Sequence, residues 1–362
     1  MTKKQGNAAL NFALIGCGRI AQTHLEAIAS ITECELKGVA DIRKTAAKSV
    51  AEQFGCKTYD DYHQVLDGNQ VDAVVICTPP DTHAEISTFF LENGVHVLCE
   101  KPLALSIEDA TYMVDTAENK GCLLMMASKF RYVDDLIKAK GVVDSGILGD
   151  IVLFENVFCS KVDMRDRWNA DKDVAGGGVL IDNGSHSVDI ARYLLGPIAK
   201  VQAEEGKRIQ KLGVEDTARL YFRTESETMG AVDLSWSLFK ERESYIELFG
   251  TEGVLSIGWK CSKYRQSEKL DWVVFGNGYD KFACFRKQLE NFVGCLKGRD
   301  LPMITATDSF ESVKVIEAAY KSMNMNKWVE VDTDQQAVGS EKASEVGDQR
   351  SEVRDEGLAQ SA

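Results

Sequence analysis

Between residues 10 and 130, short apolar runs alternate with helical patterns, and this alternation narrows the fold more than any other feature of the chain. Phe12-Ala13-Leu14-Ile15, Leu36 to Ala40, Lys57 to Tyr59, Val71 to Cys77, Val95 to Cys99 and Leu123 to Ala127 read as strands. Helical patterns lie between them, with Ile20, Leu25 and Ile28 on the first and spans 46–54, 84–92 and 107–120 after it. Apolar runs that leave no polar face, separated by helices, build a parallel sheet covered on both sides. Right-handed crossovers then make it a doubly wound α/β sheet. The first strand runs directly into Gly16-Cys17-Gly18-Arg19-Ile20-Ala21. In this G-x-G-x-x-A pattern one glycine allows the tight turn, the next lets backbone approach a diphosphate, and the small Ala21 permits close helix–strand packing. The N-terminus of the following helix offers free N–H groups to phosphate. The arrangement is that of a Rossmann dinucleotide-binding domain.

The second strand ends on Asp41, 23 residues past Gly18, close to the ~20 expected of a carboxylate that holds the adenosine ribose. An acid there repels a 2′-phosphate, so NAD is favoured over NADP, although Arg43 close by works against that preference. The fourth strand runs into Thr78-Pro79-Pro80-Asp81-Thr82-His83 and the fifth into Glu100-Lys101-Pro102. Both are loops at the carboxyl ends of strands, where ligands of α/β sheets bind.

Beyond residue 130 the pattern changes. A helix near 133–144 is followed by long strand-like runs at Ile151 to Cys159, Ala199 to Gly206, Ala218 to Phe222, Met229 to Trp236 and Tyr245 to Phe249, with two closing helices near 282–296 and 308–322. Polar turns between the runs imply an α+β domain built on a large, mostly antiparallel open sheet. The expected division is residues 1–130 for the cofactor, 131–332 for substrate and assembly, and a disordered tail over 333–362, which has no aromatic residue and many Glu, Ser, Gln and Asp.

Gly176 to Asp189 carries the second concentration of chemistry. Read as a helix, it puts Asp182 and His186 four residues apart on one face, a carboxylate and an imidazole suited to proton handling. Val179, Val188, Ile190, Ala191, Leu194 and Leu195 supply the apolar face. Gly184 between them costs roughly 1 kcal/mol relative to alanine, and close approach of a ligand is one gain that would offset it. A capped helix with a satisfied, buried histidine is the alternative.

Composition closes off other classes. A formal net charge of −14 argues against nucleic acid and offers no basic patch to an anionic membrane. No run approaches a spanning helix, and residues 1–7 have no hydrophobic leader region. The ten cysteines include no Cys-x-x-Cys pair, so reduced thiols in a cytoplasmic protein are expected, with no metal site.

The glycine turn, Glu100-Lys101-Pro102 and the Gly176–Asp189 segment together resemble the Gfo/Idh/MocA family of glucose–fructose oxidoreductases, inositol dehydrogenases and rhizopine-catabolism proteins, over about residues 10–330. The resemblance implies a nicotinamide-dependent oxidoreductase that acts on a secondary alcohol or ketone of a sugar, inositol or sugar nucleotide. It implies a catalytic trio of Lys101, Asp182 and His186, and a cis Lys101–Pro102 bond. Cofactor contacts are expected at Gly16, Cys17, Gly18, Arg19, Ile20, Asp41, Thr78, Pro79, His83, Glu100 and Lys101. Substrate contacts are expected at Lys101, Arg131, Trp168, Asp182, Asn183 and His186. In this reading Asp182 orients the His186 imidazole or holds a substrate hydroxyl, and Asp189 stands on the helix face or behind His186. A homodimer or homotetramer is expected through an uncovered apolar sheet face bearing Leu234, Trp236, Ile246 and Leu248. The alternatives are an NAD-assisted glycosidase and a sugar- or nucleotide-sensing regulator without chemistry.

Overall fold

The computed structural model describes residues 9–331, apart from 69, 241 and 270. The tail over 333–362 lies outside the described residues. The first half alternates as its hydrophobic pattern requires: β1 (Leu10–Ile15), α1 (Arg19–Ser30), β2 (Cys34–Ala40), α2 (Lys44–Phe54), β3 (Lys57–Tyr59), β4 (Ala73–Ile76), α3 (His83–Glu92), β5 (His96–Glu100), α4 (Ile107–Lys120) and β6 (Leu124–Ala127). All six strands pair in parallel in the order β3-β2-β1-β4-β5-β6. The order reverses beside β1, and this switch point is where a doubly wound sheet opens a crevice. Every residue of β4 and β6 is buried, as in strands covered by helices on both faces.

The second half contains α5 (Asp134–Asp144), β7 (Ile151–Cys159), α6 (Lys172–Ala175), α7 (Val179–Leu195), β8 (Ile198–Glu205), β9 (Thr217–Thr224), β10 (Met229–Ser235), β11 (Ser244–Gly250), β12 (Gly253–Gly258), β13 (Ser262–Gln266), β14 (Val273–Gly276), α8 (Lys281–Leu296), α9 (Ala306–Met325) and β15 (Val329–Glu330). Its sheet has the order β14-β13-β12-β11-β7-β10-β9-β8-β15, and only β7 and β10 pair in parallel. Among the described residues no helix is long and apolar enough to cross a membrane.

One face of this sheet is covered within the chain, and it is the face that carries the expected assembly residues. Leu234, Trp236, Ile246 and Leu248 are all buried in the single chain, with Leu234 lying under α7 beside Gly184. The alternation was correctly apolar but belongs to the inward face. Charged pairs cross the same strands on the other side: Arg219 with Asp233, Lys240 with Asp233, and Arg242 with both Glu155 and Glu247.

Two devices fix α7. At its start, a Cβ on Gly178 would stand 2.0 Å from the Glu215 carbonyl oxygen, so only glycine lets the chain pass. The Glu215 carboxylate accepts hydrogen bonds from the N–H groups of Gly178 and Leu180 at 3.0 and 3.1 Å and from the Tyr320 hydroxyl at 2.8 Å, a favourable anion at a helix N-terminus. Farther along, Gly184 faces β10 and is not among the cavity-lining residues. A Cβ there would press Leu234 and Leu180 at 3.2 and 3.3 Å, so its cost is offset by tight packing of α7 on β10.

Asp189, one turn past His186, is completely buried. Its carboxylate accepts hydrogen bonds from the Ser128 hydroxyl at 2.7 Å and Arg131 Nε at 2.9 Å. Ser128 precedes, and Arg131 lies within, a short 3-10 turn, Lys129–Tyr132, that leaves the end of β6. The brace therefore ties the parallel sheet to α7. Asp189→Ala would leave the Arg131 guanidinium only the Met303 carbonyl and the more distant Asp308 carboxylate, and removing one partner of a buried pair costs about 3–5 kcal/mol. Urea unfolding of the variant should show a loss of that size with an unchanged denaturant slope.

Candidate active site

A cavity of about 1050 Å³ opens at the carboxyl ends of β1, β2, β4 and β5 and is closed on its inner side by α7 and the second sheet. At its outer end the turn after β1 is cramped against β4. Gly16 has φ +90°, and a Cβ there would approach the backbone of Cys77 and Thr78 to 2.8 Å. Gly18 begins α1 with no side-chain cap and no acid in the first turn, and a Cβ on it would meet nothing within 4 Å. Free N–H groups facing open space fit a diphosphate. Arg19 and Ile20 line the same stretch, as do Thr78 and Pro79 opposite.

Asp41 also lines the cavity. One carboxylate oxygen accepts the Cys17 N–H at 2.7 Å and the other the Arg43 N–H at 2.7 Å, while the Arg43 guanidinium sits 3.1–3.2 Å away. Burial pushes the Asp41 carboxyl up, but the Arg43 contacts outweigh it and hold the group below its usual range. Asp41 is thus an anion at neutral pH. Cys17 contributes this N–H and does not itself line the cavity.

At the inner end, Glu100 and Lys101 close β5, and the Lys101–Pro102 bond is cis. The Lys101 ammonium donates to the Asp182 carboxylate and, at 3.1 Å, to the Asp182 carbonyl oxygen. Glu100 lies buried behind it, 2.8 Å from His24 Nε2 and accepting the Lys101 N–H at 3.2 Å. His186 follows Asp182 by one turn of α7 and lines the cavity. Its Nδ1 is buried without a partner, which leaves Nε2 as the nitrogen able to meet a substrate. Burial, and then the ammonium groups of Lys101 and Lys129, drive its pKa well below the ordinary imidazole value. The ring is neutral and able to accept a proton. Asp182 makes its contact with Lys101, so of the two roles expected for it, orienting the imidazole is not what its geometry does. Asn183 lines the cavity and donates to the Phe158 carbonyl oxygen at 3.4 Å. Trp168 lines it as well, 45% exposed.

Besides Cys17, two expected contacts are corrected. His83 is completely buried away from the cavity, its ring nitrogens 2.8 and 2.9 Å from the carbonyl oxygens of Pro102 and Thr78. It clamps together the loops after β4 and β5. Arg131 is 3% exposed and held by Asp189 and the Met303 carbonyl oxygen, so it braces the site without lining it. Asp189 belongs to that brace and has no bond to His186.

Sequence reasoning missed one wall. Lys129 and Phe130 follow β6, Trp259 stands between β12 and β13, and Lys281 and Phe285 begin α8. Phe130 packs edge-on to His186 with ring centroids 5.0 Å apart, and Phe158, Tyr245 and Trp259 continue the cluster. The signal for Lys129 was available, since it lies at a strand's carboxyl end as Lys101 does. Nothing local marked Trp259.

Comparison with known proteins agrees with this geometry. Residues 10–128 match the model of an oxidoreductase family with an NAD-binding Rossmann fold, and residues 136–256 match the GFO/IDH/MocA C-terminal domain. The chain belongs to the Gfo/Idh/MocA family. Its Gfo/Idh/MocA relatives include myo-inositol 2-dehydrogenase of Thermotoga maritima, 25% identical over 340 residues that span 89% of this chain and 99% of the relative. Another is NAD(+)-dependent scyllo-inositol 2-dehydrogenase of Bacillus subtilis, 26% identical over 88% of this chain and 96% of the relative. Among solved structures, GenD2 from gentamicin A biosynthesis, in complex with NAD, superposes with a TM-score of 0.80 at 26% identity, covering 91% of this chain and 99% of that one. As a Gfo/Idh/MocA member the protein is an NAD-dependent oxidoreductase.

Asp41 should then make NAD bind more tightly than NADP. Asp41→Ala should narrow that gap by at least about tenfold, because it removes the anion and frees the Arg43 guanidinium for a 2′-phosphate. Titration of both cofactors measures the ratio, and an unchanged ratio would remove Asp41 from the ribose end.

Proposed function

We propose that the protein oxidises or reduces one secondary alcohol–ketone position of a sugar, inositol or sugar nucleotide, with Lys101, Asp182 and His186 as the reacting side chains. One observation carries the reading: a lysine ammonium, a carboxylate and a neutral imidazole converge at the inner end of a cavity whose outer end fits a dinucleotide. Bound NAD supplies the hydride acceptor or donor. In oxidation, His186 Nε2 takes the hydroxyl proton. The Lys101 ammonium stabilises the developing alkoxide in a partly closed site. Asp182 holds that ammonium in place, and Asn183 and Trp168 contact the substrate. In reduction the same groups act in the opposite sense.

The aromatic wall of Phe158, Trp259 and Phe130 suits the C–H face of a sugar or inositol ring, with hydroxyls turned toward Lys101 and Asp182. The inositol dehydrogenases among the relatives favour the same substrate class. Residues 1–130 hold the cofactor and 131–332 the substrate in this reading. Ten unpaired thiols suit the reducing cytoplasm, and self-association as a dimer or tetramer would use the charged outer face of the second sheet. No observation favours the glycosidase or the sensor.

A panel of inositols, aldoses and sugar nucleotides, read by nicotinamide absorbance, tests the reading. Absence of turnover with every member would overturn it. With a substrate in hand, His186→Asn should lower turnover by about 10²–10⁴-fold while NAD affinity holds. Because the His186 pKa lies below 6.5, kcat/KM for oxidation should stay flat as pH falls to 6.5 and decline only below it, as the imidazole takes up a proton. Lys101→Ala and Asp182→Ala should each lower turnover, and the double variant should lose far less than the product of the two, since one residue works by holding the other.

A further inference from the structure

The inner cavity carries more positive charge than the reaction needs. Lys101 is paired with Asp182. Lys129 and Lys281 also line the cavity, and among the described residues neither ammonium has a carboxylate within salt-bridge distance. Glu100, a buried acid whose charge reaches Lys129, is hydrogen-bonded with His24 at 2.8 Å. The two lysines come from different elements, the turn after β6 and the first residue of α8, and both ammonium groups stand over one ring, Phe285, at 5.7 and 5.8 Å from its centroid. Lys129 is also 5.4 Å from the centre of Phe130, the ring that packs on His186.

An aromatic face attracts a cation more weakly than a carboxylate does, so gathering two cations on one ring without an acid leaves a positive concavity. Its electrostatic complement is an anion. Burial, with the ammonium groups of Lys101 and Lys281, outweighs the opposing Glu100 carboxylate and pulls the Lys129 pKa down to about 8, so the group is still charged at neutral pH and Glu100 offsets its field only in part. The Ser128–Asp189–Arg131 brace on either side of Lys129 holds this charge in place.

We propose that the substrate is an anionic sugar, whose carboxylate or phosphate is bound by Lys129 and Lys281 while its ring hydroxyl is presented to Lys101 and His186. The proposal rests on the functional reading above and adds the substrate's charge to it.

The test uses the full chain loaded with NAD and three matched ligands of each configuration: a hexose, the corresponding hexuronate and the hexose 6-phosphate. Binding is followed by calorimetry and turnover by nicotinamide absorbance. For at least one configuration, the hexuronate or the 6-phosphate should bind about tenfold or more tightly than the neutral hexose, the scale of a charge-assisted hydrogen bond, and the arm that does so tells carboxylate from phosphate. Lys129→Met should abolish the preference, and Lys129→Arg should restore most of it. NAD affinity, measured in the same variants, should not move and also confirms that they are folded.

Equal binding of neutral and anionic members, or a preference that survives in Lys129→Met and Lys281→Met, overturns the proposal. So does a fall in NAD affinity in Lys129→Met matching the fall in anion affinity, because the lysine would then serve the cofactor diphosphate. Turnover of neutral sugars with no anionic preference would sink this inference and leave the oxidoreductase reading standing. Tight Lys129-dependent anion binding with no turnover of any ligand would do the reverse.

Discussion

The buried carboxylate of Asp189 is the contact on which the site depends. It is fully excluded from water, and so is nearly all of its partner Arg131. An ion pair in that setting adds little net stability over a well-packed apolar pair, and its value lies in geometry. Here the geometry joins two sheets. Asp189 sits on the helix that carries Asp182 and His186, and its partners Ser128 and Arg131 flank Lys129 and Phe130 at the end of the parallel sheet. Arg131 also reaches toward Asp308 at 3.5 Å, so α9 joins the same network. The imidazole and the ring beside it are fixed by groups that touch neither substrate nor cofactor.

Around that brace the charges are arranged unequally. Glu100 is hydrogen-bonded from behind by His24, and Asp182 is paired from the front with Lys101. Lys129 and Lys281 have no such partner. Burial, and then the ammonium groups of Lys101 and Lys129, together leave the imidazole of His186 neutral at physiological pH.

The parallel half was readable almost residue by residue, because alternating apolar runs and glycine punctuation are local signals. The glycine turn and Asp41 lie where their spacing suggested. Asp182 and His186 share a helix face as the periodicity required. Identity of partners was another matter. Spacing put Asp182 near His186 along the helix, but its real partner, Lys101, comes from the other sheet. His83 looked like a cofactor contact because it lies in the right loop, yet its side chain turns into the protein. Leu234 and Ile246 showed a true two-residue alternation without revealing which side the helices cover. Each miss concerns the direction or long-range partner of a side chain, and tertiary packing decides both.

The Lys101–Asp182 contact spans 81 residues of sequence. Neither half contains a working centre, because the ammonium follows a strand of the parallel sheet and the imidazole sits on α7, which packs on the second sheet. Closing a loop of that length has an entropic cost that local contacts cannot offset in advance. The strand pairings of the parallel sheet and the dinucleotide turn rest on contacts closer in sequence than the one that assembles the reactive constellation. Chemical competence requires α7 to be docked on the parallel sheet, so that sheet by itself presents the glycine turn without the means to react.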